Sequence, residues 1–460
     1  GIRDVERSRG LGDVYKRQSM EGIENYYGRL FLENQLPEEG KHLAKPLESI
    51  VITKGKVTCQ RCRYHISEEE RLPSGAYYCR FCLVFGRNQS DKSLYYMSPK
   101  PFPQGSCLKW KGQLTPHQKK ISQQLVRNVQ AKKPTLVHAV TGAGKTEMIY
   151  AAIARVIEAG GWVCLASPRV DVCIEVAKRL SQAFLCQVCL MHAGSSPYQR
   201  SPIIVATTHQ LLTFYKAFDL LIIDEVDAFP FVTNVQLNHA ANQASKTDAA
   251  RILLTATSTT TLEKQVKRGE VEKLTLARRF HNHPLVIPQF IRSFAILNNI
   301  HCHKIPEIVI KYLREQRQTG YPLLIFLPVI TTAEIVTNLL KKAFPKEKIA
   351  CVSSQAEERE KDITAFRQGE KTILVTTTIL ERGVTFPGVD VFVLAAHHRV
   401  FTPQSLVQIS GRVGRSLERP TGNLYFFHDG ISRAMLKARK EIKEMNQKGY
   451  PDDMPTVPTT

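Results

Sequence analysis

Across residues 113–430, short runs of consecutive apolar residues alternate with stretches in which apolar positions recur every three or four residues. PTLVHAV, FDLLII, LLIFLP, IACVSS, TILVTTT and VDVFVLAA read as buried strands. In KTEMIYAAIARVIEAG, Met148, Ile149, Ala152, Ile153, Val156 and Ile157 fall at helical spacing; TTAEIVTNLLKKAF and EEREKDITAFRQG read as further helices. This alternation predicts a parallel α/β architecture, and the repeated order of runs predicts two units, 113–280 and 281–440. The pattern differs at both ends. Residues 51–90 carry short strand-like pieces around a Pro73-Ser74-Gly75 turn, after a segment 20–50 and before a Pro-, Gly- and Lys-bearing connector, 91–112. Met435, Leu436, Ile442 and Met445 stand among lysines and arginines near the C-terminus. They fit a final helix with a solvated basic face, or a contact for partners or anionic lipid. Residues 441–460 form the tail, ending in PDDMPTVPTT.

Composition supports a multidomain globular chain: 460 residues, 43% apolar. The 63 lysines and arginines against 42 acids give a formal charge of +21, a long-range attraction for polyanions. No run of about 18 uncharged apolar residues occurs, so no membrane-spanning helix is expected, while peripheral docking stays open. Residues 1–19 lack the apolar core of an export signal and read as a non-native leader before Met20. Eleven cysteines without an export signal place the chain in a reducing compartment, the cytoplasm.

Four of those cysteines, Cys59, Cys62, Cys79 and Cys82, follow C-x2-C-x16-C-x2-C, the spacing of a zinc site in which two short turns each aim two thiolates at one ion. A disulfide or a redox-active pair is the alternative. Arg61, Arg63, Arg80 and Arg87 beside tyrosines fit a nucleic-acid surface or an ordinary solvated face. Cys186 and Cys189, in AFLCQVCLM, lack a second pair and read as packed strand residues.

Between a strand and a helix lies TGAGKT, the setting a phosphate loop needs. Thr141, Gly142, Ala143 and Gly144 let backbone N–H groups approach phosphate oxygens, Lys145 reaches the β- and γ-phosphates, and the Thr146 hydroxyl can ligate Mg2+. The strict pattern departs at Ala139, where a glycine would stand. FDLLIIDEVD sets Asp224 and Glu225 at the carboxyl end of a strand, the edge where nucleotide binds. There Asp224 would hold Mg2+ through water and Glu225 would orient and deprotonate the attacking water of ATP hydrolysis. Gln408, Arg412 and Arg415, spaced i, i+4, i+7, would share one face if helical, with the two arginines as transition-state cations. A solvated arginine pair is the alternative.

Together AVTGAGKT, DEVD, the TAT at 255–257 and QISGRVGR at 408–415 resemble the motifs of superfamily 2 helicases, a likeness covering residues 113–430. It implies two RecA-like parallel-sheet domains preceded by a small zinc-ribbon-like module. LTPHQ at 114–118 is similar to the adenine-contacting motif, with Gln118 as reader and Gln408 as a second nucleotide contact. ASPRVDV and TTHQLL are similar to strand-tracking loops. Asp227, Thr255, Thr257, and Arg382 and Gly383 in TTTILERGVTFPGVD would couple strand contact to nucleotide state.

A four-cysteine module ahead of a short helicase core resembles the bacterial ComFA competence family. That resemblance implies an ATP-driven motor on single-stranded DNA that serves uptake of transforming DNA, at the inner face of the cytoplasmic membrane. Its implied partners are a membrane DNA channel, a phosphoribosyltransferase-like competence protein and a single-strand-loading protein, with oligomerisation left open. Replication-restart helicases of the PriA type interrupt their C-terminal half with the metal segment, unlike this chain. An RNA helicase is a further alternative. A nucleotide-binding scaffold would lack the acids and arginines kept here.

Overall fold

The computed structural model describes residues 22–353, 358–381 and 386–451; the leader before Met20, most of the tail, Arg382 and Gly383 lie outside them. The chain up to Val137, with Thr146–Thr255 and Thr259–Leu274, packs as one unit. His138–Lys145, Ala256–Ser258 and the chain from Thr275 onward pack as the other.

The first unit begins with β1 (Leu30–Leu32) and β2 (Lys45–Leu47), which flank a later strand in an antiparallel sheet over Tyr26, Tyr27, Phe31 and Met97. Inserted before that strand is the cysteine module: β3 (Ile50–Thr53), β4 (Lys56–Cys59) and β5 (His65–Ile66), all antiparallel. Thr53 pairs with Lys56, leaving the two-residue turn Lys54-Gly55 with φ 50 and 74. Both residues in the left-handed region match the twist of a tight hairpin. The closing strand β6 (Leu94–Tyr96) lies in the segment that reads as a connector. That segment is instead packed down: Phe102 meets Trp162 edge-on, Arg200 stacks 3.8 Å over Phe102, and Leu108 bridges Phe184.

Helix α1 (Pro116–Gln130) leads into a seven-stranded sheet made of β7 (Thr135–Ala139), β8 (Val163–Ser167), β9 (Val188–Met191), β10 (Ile203–Thr207), β11 (Phe218–Ile223), β12 (Ser245–Thr255) and β13 (Glu272–Leu276). Its order is β13-β7-β12-β11-β8-β10-β9, with β8 to β12 parallel. Helices on both faces explain why β7, β8 and β10 are buried at every position. Helices α2 (Lys145–Glu158), α3 (Val170–Ala183), α4 (Val235–Ala244) and α5 (Thr260–Lys267) complete this layer. Cys189 is buried in β9, whereas Cys186 precedes the strand and is half-buried. One hydrophobic core joins sheet and cysteine module, and the Gln60 carbonyl accepts from His239 Nε2 (3.4 Å) and Gln243 Nε2 (3.3 Å) of α4.

The second unit holds a six-stranded, all-parallel sheet: β14 (Gln289–Arg292), β15 (Leu323–Phe326), β16 (Ile349–Val352), β17 (Ile373–Thr376), β18 (Asp390–Val393) and β19 (Leu424–His428), in the order β14-β19-β18-β15-β17-β16. The apolar runs at β15 to β18 match the strands expected from the sequence. The short β14 pairs with the later β19, which also pairs with β18, a contact no local pattern announces. Helices α6 (Ile296–His301), α7 (Glu307–Gln318), α8 (Ile330–Ala343), α9 (Arg359–Arg367), α10 (Pro403–Ser410) and α11 (Arg433–Gly449) cover it. Helix α11 buries Met435, Ile442 and Met445 and exposes Arg433, Lys437, Lys440 and Lys443: it is a packed helix with a solvated basic face. Leu436 stays exposed. Among the described residues no helix is long and apolar enough to cross a membrane.

Candidate active site and metal centre

The phosphate loop leaves β7 directly. Ala139 is the last, fully buried residue of that strand, so the position needs no glycine's freedom. Gly142 (φ 78) and Gly144 (φ 72) do need it, because that region is closed to most residues with a Cβ. The Ala143 N–H donates to Val140 O (3.2 Å), and α2 begins at Lys145, so Lys145 and Thr146 open a helix N-terminus suited to anions.

At the end of β11 the Asp224 N–H continues the ladder to Ala166 O (2.8 Å), and Asp224 Oδ1 accepts from the Glu225 N–H (2.8 Å). Glu225 has φ 52, a left-handed conformation that a non-glycine residue adopts only when its surroundings impose it. Here the imposing contacts are that Asp224 carboxylate, the Ala228 N–H on Glu225 O (2.8 Å) and the Arg169 guanidinium 3.6 Å from Glu225 Oε2. Arg169 belongs to ASPRVDV, the segment similar to a strand-tracking loop; no pattern in the chain announces its place beside Glu225. Asp227 is buried and accepts from Thr255 Oγ1 (2.7 Å), which ties the acidic turn to the end of β12. Thr257 is fully buried.

Gln118 is the third residue of α1. Its side-chain oxygen accepts from the Thr115 N–H (2.9 Å), while Thr115 Oγ1 accepts from the Gln118 N–H (3.3 Å). T-P-H-Q is therefore a capping box in this structure. Gln408 is buried on α10.

The arginines depart from the helical reading. Helix α10 stops at Ser410, and Arg412 and Arg415 lie in the following turn, in which Gly414 has φ 67. Arg412 is 1% exposed. Arg415 Nε donates to Gly411 O (2.9 Å). Arg279, a residue with no motif around it, also enters this turn: its Nη1 donates to Val413 O (3.0 Å) and Gly414 O (2.5 Å), and its Nη2 to Gly411 O (3.4 Å).

In the cysteine module the four Sγ atoms lie within 4.8 Å of one another and all four residues are buried. Cys59 and Cys82 sulfurs are 3.8 Å apart, Cys62 and Cys79 sulfurs 3.5 Å. A tetrahedron with Zn–S bonds of about 2.3 Å has edges of about 3.8 Å, so the cluster fits zinc. Asn88 Nδ2 donates to Cys59 Sγ (3.2 Å) and Ser49 O (3.0 Å), the outer contact that orients a thiolate ligand. Hydrogen bonds from Cys62, Cys79 and Cys82 hold the Cys59 thiol far below its ordinary value. For magnesium, the carboxylate of Asp224 and the hydroxyl of Thr146 match the few protein ligands this ion takes beside phosphate oxygens and waters.

The arginines of the module divide. Arg61 is buried with Nη1 on Phe85 O (3.4 Å), and Arg80 pairs with Glu70 at 2.8 Å, so neither is a free surface cation. Arg63 instead joins Lys54 and Lys56 around a concavity of about 330 Å³ on the β3–β4 hairpin, lined also by Val51, Thr53, Thr58 and Gln60. Among the described residues no acid lines it.

A phosphate loop and paired acids on one parallel α/β sheet, followed by a second, loop-free parallel sheet, define an ATP-hydrolysing helicase of superfamily 2. Residues 115–265 match the DEAD/DEAH box helicase family and residues 304–416 the helicase conserved C-terminal domain. The chain is 55% identical over 423 residues to the competence protein ComFA of Streptococcus pneumoniae (strain ATCC BAA-255 / R6), covering 92% of this chain and 98% of that protein. It is 35% identical over 412 residues to ComFA of Bacillus subtilis (strain 168), covering 87% and 88%. This chain belongs to the ComFA family of competence-associated, DEAD-box-like helicases. Among solved structures, the fold is shared with S. cerevisiae Dbp5 bound to RNA and ADP BeF3, at TM-score 0.52 and 15% identity over 74% of this chain and 93% of that one. RecG bound to a three-way DNA junction aligns at TM-score 0.51 and 20% identity, over 72% and 45%.

Proposed function

We propose that this protein is an ATP-driven motor on single-stranded DNA that pulls transforming DNA across the cytoplasmic membrane, working peripherally at its inner face. The observation that carries the reading is one chain of the ComFA family in which an intact phosphate loop and acidic pair follow a zinc-fitting module with a basic concavity. Its partners in this reading are a membrane DNA channel, a phosphoribosyltransferase-like protein and a single-strand-loading protein.

Within the motor, Lys145 and the N–H groups of residues 141–146 hold the β- and γ-phosphates, and Thr146 and Asp224 hold magnesium. That ion, when bound, neutralises charge on the phosphate oxygens. Glu225 orients the attacking water and takes its proton; Arg169 lies beside its carboxylate, and the Asp224 contact to its N–H fixes its backbone. Arg412 and Arg415 supply positive charge to the γ-phosphate as its bond to the β-phosphate breaks. Asp227 and Thr255, joined by their hydrogen bond, transmit the nucleotide state to the strand, with Thr257, Arg382 and Gly383. The cations Lys54, Lys56 and Arg63 meet strand phosphates on the module.

The test is ATP turnover with single-stranded DNA, single-stranded RNA and duplex DNA side by side. Single-stranded DNA is expected to stimulate most; Lys145→Ala abolishes turnover and Glu225→Gln lowers kcat about 100-fold or more while nucleotide still binds. Stronger stimulation by RNA overturns the competence reading.

A further inference from the structure

We infer that Arg279 is a positioning residue for ATP hydrolysis, setting the turn that carries Arg412 and Arg415; this rests on the role proposed for those two arginines. All the residues concerned belong to one packed unit.

Helix α10 ends at Ser410, where the N–H groups of Gly411, Arg412 and Val413 take up the Val407, Ile409 and Ser410 carbonyls; the carbonyls of the turn itself point onward at the negative end of the helix. Two glycines let neighbouring groups come close to the backbone of the turn, Thr141 at Gly411 and both the Pro420 carbonyl and Arg279 at Gly414. A Cβ at Gly411 would overlap Thr141 Oγ1, and one at Gly414 would overlap the Pro420 carbonyl and fall 3.0 Å from Arg279 Nη1. The Arg279 guanidinium, 2% exposed, enters there and donates to the carbonyls of Gly411, Val413 and Gly414.

The backbone on either side of Arg279 is fastened to the phosphate loop. Val140 N–H donates to Leu276 O (3.1 Å) and Phe280 N–H to Gly142 O (3.1 Å). The short segment 276–280 thus holds the phosphate loop with its backbone and the arginine turn with one side chain. Misplacing transition-state cations by about 1 Å costs on the order of 100-fold in rate, so a fixed distance between these two loops is worth a buried cation. The guanidinium keeps its charge at neutral pH: burial, reinforced by Arg415, pushes it down to about 9. A planar fork serves three diverging carbonyls, whereas a lysine ammonium is a compact point charge at the end of a flexible stem.

Arg279→Lys and Arg279→Gln, in the full chain, test this. Both are expected to lower kcat for DNA-stimulated ATP turnover about 10- to 100-fold, with KM for ATP within about twofold and thermal unfolding close to the parent. In an Arg412→Ala, Arg415→Ala background, Arg279→Lys is expected to cost no further activity, since groups acting through one another are not additive. Unchanged kcat in both variants, or a raised KM at unchanged kcat, or a loss that multiplies with that of the double variant, overturns the inference. Failure of the underlying reading looks different: Arg412→Ala and Arg415→Ala would then hydrolyse ATP normally while Arg279→Lys does not.

Discussion

Asp390 is completely buried at the start of β18, where its carboxylate accepts from Gln316 Nε2 (2.8 Å), the Asn423 N–H (2.6 Å) and Arg419 Nη2 (2.7 Å). Arg419 in turn stacks 3.5 Å over the Tyr321 ring. A buried charge is tolerated only when paired and hydrogen-bonded in this way, and removing one partner leaves the other stranded. Asp390→Ala is therefore expected to destabilise the second unit by about 3–5 kcal/mol, read as a lower denaturant midpoint in chemical unfolding. A midpoint unchanged from the parent would refute the knot. On the chain, Asp390 was legible only as the end of a motif before an apolar run; its partners stand at 316, 419 and 423. Asp224 and Glu225 were legible as an acidic pair because their chemistry is written in adjacent residues. The positive φ of Glu225 was not, since it depends on Ala228 and on Arg169, which lies far earlier in the chain.

Among the elements, the cysteine module shares a hydrophobic core with the first unit, through Phe81, Tyr64 and Tyr77 as well as its sulfurs. Metal binding to such a module contributes directly to its folding. Metal analysis is expected to find one zinc per chain in the parent and none in Cys62→Ser, and the substitution is expected to lower the unfolding temperature of the whole first unit. The hairpin makes a separable prediction. Lys54→Glu, Lys56→Glu and Arg63→Glu together should leave zinc in place yet weaken single-stranded DNA binding. The salt dependence of that binding should flatten by about 2 in log–log slope, at about 0.7 for each phosphate no longer neutralised. An unchanged slope would remove this hairpin from the strand path. Helix α10 shows where periodicity misleads: residues 408, 412 and 415 fit one helical face, but Gly411 and Gly414 allow a turn that Arg279 then occupies.

At the scale of the whole molecule, a formal charge of +21 makes strand affinity depend on ionic strength. The concentration of single-stranded DNA giving half-maximal ATPase stimulation is expected to rise steeply and linearly in log–log form with salt. A flat response would mean that base stacking, not phosphate contact, dominates. Part of the basic excess sits on the exposed side of α11, whose other side is buried.

What the sequence determined by itself is the set of local patterns: the strand runs, the phosphate-loop motif, the acidic pair and each C-x2-C turn lie within a few consecutive residues, and the net charge is a plain sum over the chain. Tertiary structure alone decided that the connector packs down and that β14 and β19 join a sheet. It also decided that Arg279 holds the arginine turn. These arise from pairings between residues far apart in the chain, 132 to 135 positions in the case of Arg279. Such pairings leave no local pattern because each partner, taken alone, is an ordinary arginine, carbonyl or aromatic ring.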